Sequence, residues 1–116
     1  KGEIISIIGG TQLIERLDVG DATGAILKLL EIVPALWDRV YNVGPGTQCK
    51  ICARAEKTAK SAEKLTGVKK SEITVKQKGV PVHYGMDIEK IKSATGWSPR
   101  YTIDDKIQSV VTYMNK

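Results

Sequence analysis

Strand-like and helix-like segments alternate along this chain, and that alternation limits the folds open to it. Glu3-Ile4-Ile5-Ser6-Ile7-Ile8 is isoleucine-rich and ends at Gly9-Gly10, the pattern of a largely buried strand. Thr11 to Gly20 reads as extended or irregular, with Leu17 and Val19 turned inward. Ala22, Ala25, Ile26, Leu29, Leu30 and Val33 then fall on one stripe, which predicts a helix capped by Asp21 and stopped by Pro34. Arg39 to Val43 reads as a short strand broken by Gly44-Pro45-Gly46. A second long helix runs from Lys50 to Thr66, with Ile51, Ala55, Ala59, Ala62 and Leu65 inward and Gly67 as its stop. Glu72 to Lys76 alternates as a third strand, and Lys78 to Met86 is the one long irregular segment, of the kind that more often carries function. Asp87 caps a short helix with Ile88, Ile91 and Ala94 buried, Gly96 closes it, and Trp97 plugs the core beneath. Thr102, with Asp105 three residues on, caps a last helix whose inner stripe is Ile103, Ile107, Val110, Val111 and Met114. The order β-α-β-α-β-α-α implies an α/β fold, a small, mainly parallel sheet with packed helices.

The 116 residues are the size of one domain, so 1–116 is read as a single domain. No apolar run approaches the ~20 residues that span a bilayer, and no signal-peptide pattern opens the chain. A membrane role is therefore not expected, and a cytoplasmic fragment of a longer chain is. The net charge of +5 is concentrated: nine basic residues against three acids lie between Lys50 and Gly79. Such a run can grip phosphates or nucleic acid. The spacing of Lys57, Lys60 and Lys64 fits a solvated helix face better. Cys49 and Cys52 form C-x-x-C where a helix begins, a setting that favours thiolate. With His83 as the only further metal-binding side chain of that kind, zinc lacks its ligands, and two small buried cysteines are the simpler reading.

Three segments together resemble the NAD-dependent epimerase/dehydratase family, the extended short-chain dehydrogenases that act on sugar nucleotides. Gly2, Ile4, Ile7, Gly9, Gly10, Gln12, Val19, Asp21, Ala25 and Ile26 keep step with one family stretch, one residue short near Gly9-Gly10. Val40-Tyr41-Asn42-Val43-Gly44-Pro45-Gly46 is close to the family's V-Y-N-V-G-S-G. Asp87-x-x-Lys90, Gly96-Trp97-x-Pro99 and the capped final helix match its C-terminus. The resemblance implies the C-terminal part of an extended short-chain dehydrogenase fold, the substrate-binding region of a longer enzyme. The cofactor loop G-x-x-G-x-x-G and the catalytic Y-x-x-x-K pair are missing from this sequence. An absent N-terminal Rossmann half would bind NAD or NADP and is the first expected partner. This chain alone would bind no cofactor, hold no metal and be catalytically silent.

The departures fall on ligand contacts. The family's diphosphate arginine falls at Ile14, with Arg16 as the nearby substitute, and its R-x-G-D reads Gln77-Lys78-Gly79-Val80. Lysine meets phosphate as a point charge, without arginine's paired fork. The residues expected to bind a nucleotide-sugar are Arg16, Asn42, Lys76, Lys78, His83 and Tyr84, of which Tyr84 matches a nucleotide-contacting tyrosine of the epimerases. Asn42 sits at a strand end, where α/β folds place ligands, though local backbone can equally satisfy it. His83 as a lone loop histidine also suits a plain surface role, and Asp87 suits a cap better than a catalytic carboxylate. Two rivals stand beside this reading: a basic module for nucleic acid or other polyanions, and a non-catalytic family member acting as sensor or scaffold. Against nucleic acid count the absence of Phe and of aromatic residues among the lysines. If this is one region of a larger enzyme, Val40 to Val43 and the apolar side of the first helix lack partners. Self-association into a homo-oligomer, or addition of 40–43 to the small sheet, is then expected.

Overall fold

The computed structural model describes residues 3–69, 71–76 and 78–116. Gly2 and Gln77, both named above, and Lys70, one of the nine basic residues, lie outside the described residues. In chain order the elements are β1 (Ile5–Ile8), β2 (Leu13–Ile14), α1 (Val19–Leu30), a 3₁₀ turn (Pro34–Leu36), β3 (Cys49–Lys50), α2 (Ile51–Thr66), β4 (Ile73–Lys76), α3 (Glu89–Thr95) and α4 (Ile103–Met114). Among the described residues no helix is long and apolar enough to cross a membrane. The backbone divides into two compact units, each assembled from segments far apart in sequence.

The first unit comprises Lys1–Ile14, Cys49–His83 and Thr102–Lys116. β1 and β4 pair in parallel, Ile5 opposite Ile73 and Ile8 opposite Lys76, as the sequence predicts. Ser6 Oγ lies 3.2 Å from Thr74 Oγ1 across the pair, so one face of the ladder carries a hydroxyl contact. A parallel pair needs a crossover, which α2 provides; it packs on β4 and on α4. Of the expected stripe Ala59 is buried and Ile51, Ala55 and Ala62 are half-buried, whereas Leu65, near the helix end, is exposed; Gly67 ends the helix at φ +69°. β2 and β3, two residues each and antiparallel, were not foreseen. They stitch the stretch after Gly9-Gly10 to the start of α2. Of the expected stripe on α4, Ile107 is buried, whereas Val110 and Met114 are exposed.

The second unit comprises Glu15–Gln48 and Tyr84–Tyr101. Its core is Ala25, Ile88, Ile91 and Trp97, with Leu17, Leu29, Tyr41 and Val43 packed against it. Trp97 is 6% exposed and plugs this core as predicted. Two expectations are corrected. Asp18, not Asp21, caps α1, accepting from Gly20 N at 2.7 Å. Asp21 lies inside the first turn, 3% exposed, where its two carboxylate oxygens accept from Arg100 N (2.8 Å) and Tyr101 N (3.2 Å). Nor do residues 40–43 form a strand. Their side chains keep a period of two, with Tyr41 and Val43 half-buried and Val40 and Asn42 exposed, but among the described residues the unit offers no strand to pair with. The segment is held by side chains: Tyr41 Oη accepts from Asp38 N at 3.0 Å, and Lys90 Nζ reaches Asp38 Oδ2 at 2.6 Å. That lysine, with the Arg39 amide, holds the Asp38 carboxyl below its ordinary value.

Candidate functional site

In the first unit the parallel pairing brings the carboxyl ends of β1 and β4 to the same side, the usual place for a ligand in an α/β sheet. β1 runs into Gly9 (φ +90°) and Gly10 (φ +84°), a backbone that side-chain-bearing residues rarely adopt. Space forbids them as well: a Cβ on Gly10 would stand 2.8 Å from Val75 Cγ1. Gly9 N donates to Lys76 O at 2.7 Å, locking the turn to the end of β4. Lys76 is exposed at that end, and Lys78 follows in the exposed irregular segment. His83 closes that segment; its Nδ1 accepts from Leu13 N at 3.0 Å, so neutral His83 carries its proton on Nε2.

The N-terminus of α2 meets the same turn. Cys52 N donates to Gly10 O (2.9 Å) and Ile51 N to Gln12 O (3.3 Å). Loop carbonyls thus occupy amides that a helix start would otherwise offer to an anion. Cys49 is buried and Cys52 half-buried, and the two are not bridged. Sequence reasoning missed two polar atoms here: Gln12 Oε1 and Arg54 Nε are buried with no hydrogen-bond partner among the described residues. Gln12 carries a family match, which was a usable signal. Arg54 was counted only as one of many basic residues.

The second unit holds the other three expected residues, all exposed: Arg16, Asn42 and Tyr84. Two residues passed over in the sequence fix the backbone around Tyr84. Gln48 Nε2 donates to Tyr84 O at 2.6 Å, and Glu15 Oε2 accepts from Met86 N at 3.0 Å. A Cβ on Gly85 would press on the Gln48 amide and displace it from Tyr84 O. The Tyr84 ring is left 65% exposed on an anchored backbone. Among the described residues no group of three or more His, Cys, Asp or Glu side chains is placed to hold a metal ion.

A glycine turn after the first of two parallel strands, a crossover helix, a buried Asp clasp onto the Arg100 and Tyr101 amides and a capped last helix match the C-terminal part of the short-chain dehydrogenase/reductase fold. The structural neighbours include sugar-nucleotide 4-epimerases and a 4,6-dehydratase solved with NAD. RMD from Pseudomonas aeruginosa, solved with NADPH, is 24% identical at a TM-score of 0.77, over 94% of this chain and 35% of its own. dTDP-glucose 4,6-dehydratase from Bacillus anthracis, solved with NAD, is 24% identical at 0.73, over 98% of this chain and 35% of its own. UDP-glucuronic acid 4-epimerase from Bacillus cereus, solved with UDP-glucuronic acid and NAD, is 22% identical at 0.72, over 95% and 34%. At these identities the likeness is one of fold, and the chain spans about a third of the length of the proteins it matches. No protein-family model matches the chain, and no curated protein matches it.

Proposed function

We propose that this chain is the nucleotide-sugar-binding part of an NAD- or NADP-dependent sugar epimerase or dehydratase. The observation that carries the reading is coverage: nearly the whole chain superposes on about a third of enzymes solved with NAD, one of them also with UDP-glucuronic acid. The Rossmann half that would hold the dinucleotide is the partner the reading requires, and the nicotinamide it would bring supplies a hydride acceptor. This chain's residues grip and orient. Lys76 and Lys78 supply positive charge at the carboxyl ends of the parallel strands, where a diphosphate would sit. His83, held through Nδ1, keeps an Nε2 donor, and the Tyr84 ring supplies a face for a base. Arg16 and Asn42 complete the residues we assign to substrate. Fixing the sugar's orientation is a positioning contribution, distinct from bond breaking.

The test is to supply NAD and UDP-glucuronic acid to the 116-residue chain and follow reduced nicotinamide and epimer formation. The expected result is no turnover. Sustained turnover by the chain alone would overturn the division of labour proposed.

A further inference from the structure

The second unit carries a groove of about 350 Å³ between one face of α1 and the segment from Gly96 to Tyr101. Trp97 lines it, and among the described residues nothing accepts a hydrogen bond from its indole Nε1. A buried indole N–H ordinarily finds an acceptor. The other indole does, since Trp37 Nε1 donates to Leu29 O at 2.9 Å. Trp97 Nε1 also keeps an opening to solvent, although the residue is only 6% exposed. Gly24 provides that opening: a Cβ there would stand 3.6 Å from Nε1, directly against it.

Among the described residues the charges around the groove leave one cation free. Lys28 is paired with Glu31 at 2.8 Å, and both oxygens of Asp21 are taken by the Arg100 and Tyr101 amides. The Arg100 guanidinium, on a backbone anchored by Asp21, makes no ion pair among the described residues. Leu27 and Tyr101 add apolar wall. An unsatisfied N–H, a free guanidinium and an apolar wall suit one chemistry. We propose that this groove binds a small aromatic carboxylate, its carboxylate on Trp97 Nε1–H and Arg100 and its ring against Leu27 and Tyr101. The site is separate from the residues assigned to nucleotide-sugar, and its test does not depend on that reading.

The experiment uses the whole chain labelled with ¹⁵N, and phenylacetate as the probe. The indole N–H signal of Trp97 should move saturably, and that of Trp37, already bonded, should stay in place. Gly24→Ala sets a methyl over Nε1 at ordinary contact distance within a helix, where alanine is well tolerated. It should abolish the shift while Trp37 reports an intact fold. Arg100→Gln, and 2-phenylethanol in place of phenylacetate, should each weaken binding about tenfold, the loss of a charge-assisted hydrogen bond. An immobile Trp97 signal in the unsubstituted chain, unchanged binding in Gly24→Ala or Arg100→Gln, or equal binding of the alcohol would each overturn the assignment.

Discussion

Asp21 shows how one residue's role depends on contacts its neighbourhood does not reveal. Asp18 and Asp21 both have the chemistry of an N-cap. The choice between them is made by Arg100 and Tyr101, whose amides claim the Asp21 carboxylate from 79 and 80 positions away. That separation is why the cap was misread while the helix was not. Replacing Asp21 by Ala removes the acceptor for two partly buried amides. We expect Asp21→Ala to cost about 3 kcal/mol, read as a lower urea midpoint at unchanged slope, with Asn costing less because it keeps one acceptor oxygen. A loss below about 1 kcal/mol would mean water satisfies those amides. His83 is a similar case: its loop position was legible, and its bond to Leu13 N was not. Gln48 and Glu15, which anchor the backbone at Tyr84, gave no motif to notice.

Elements with strong local signals came through. α2 runs from Ile51 to Thr66 and stops at Gly67 as its glycine implies, and the Thr102–Asp105 capping box is present in full. Thr102→Ala should cost about 1 kcal/mol and speed amide exchange at the start of α4. Acid should loosen the same end. The Thr102 hydroxyl, then the Thr102 amide, hold the Asp105 carboxyl below its ordinary value of 3.8. A carboxyl depressed by folding adds stability that is complete above its unfolded value and is lost as pH falls through the lower folded one. Exchange at the α4 start, corrected for intrinsic pH dependence, should be level down to that region and rise below it; Asp105→Asn should remove the acid step. Residues 40–43 illustrate the opposite outcome. Their alternation is real, but a strand also needs a neighbour, and pairing is not written in a single segment's pattern. β2 and β3 were invisible because two-residue ladders have no period.

For the molecule as a whole, the three matching segments were legible and the layout into two units was not, since each unit draws on separated stretches of chain. In the second unit Ile26, Leu27, Leu30, Val33, Leu36 and Val40 are each more than half exposed. Apolar surface on this scale calls for a partner. Among the described residues the parallel sheet of the first unit takes in only β1 and β4, and residues 40–43 form no strand. Self-association is the remaining expectation: sedimentation should show mass rising with concentration, and Leu30→Glu should suppress it. A strict monomer at all concentrations would contradict that expectation. The central claim is nucleotide-sugar binding by this region, and a titration of the ¹⁵N-labelled chain with UDP-glucuronic acid tests it most directly. The account predicts saturable amide shifts at Gly9, Gly10, Lys76, Lys78 and His83, weakened about tenfold in Lys78→Ala by loss of a phosphate contact. No shift with UDP-glucuronic acid, together with steeply salt-dependent binding of single-stranded RNA, would contradict it and favour the polyanion module instead.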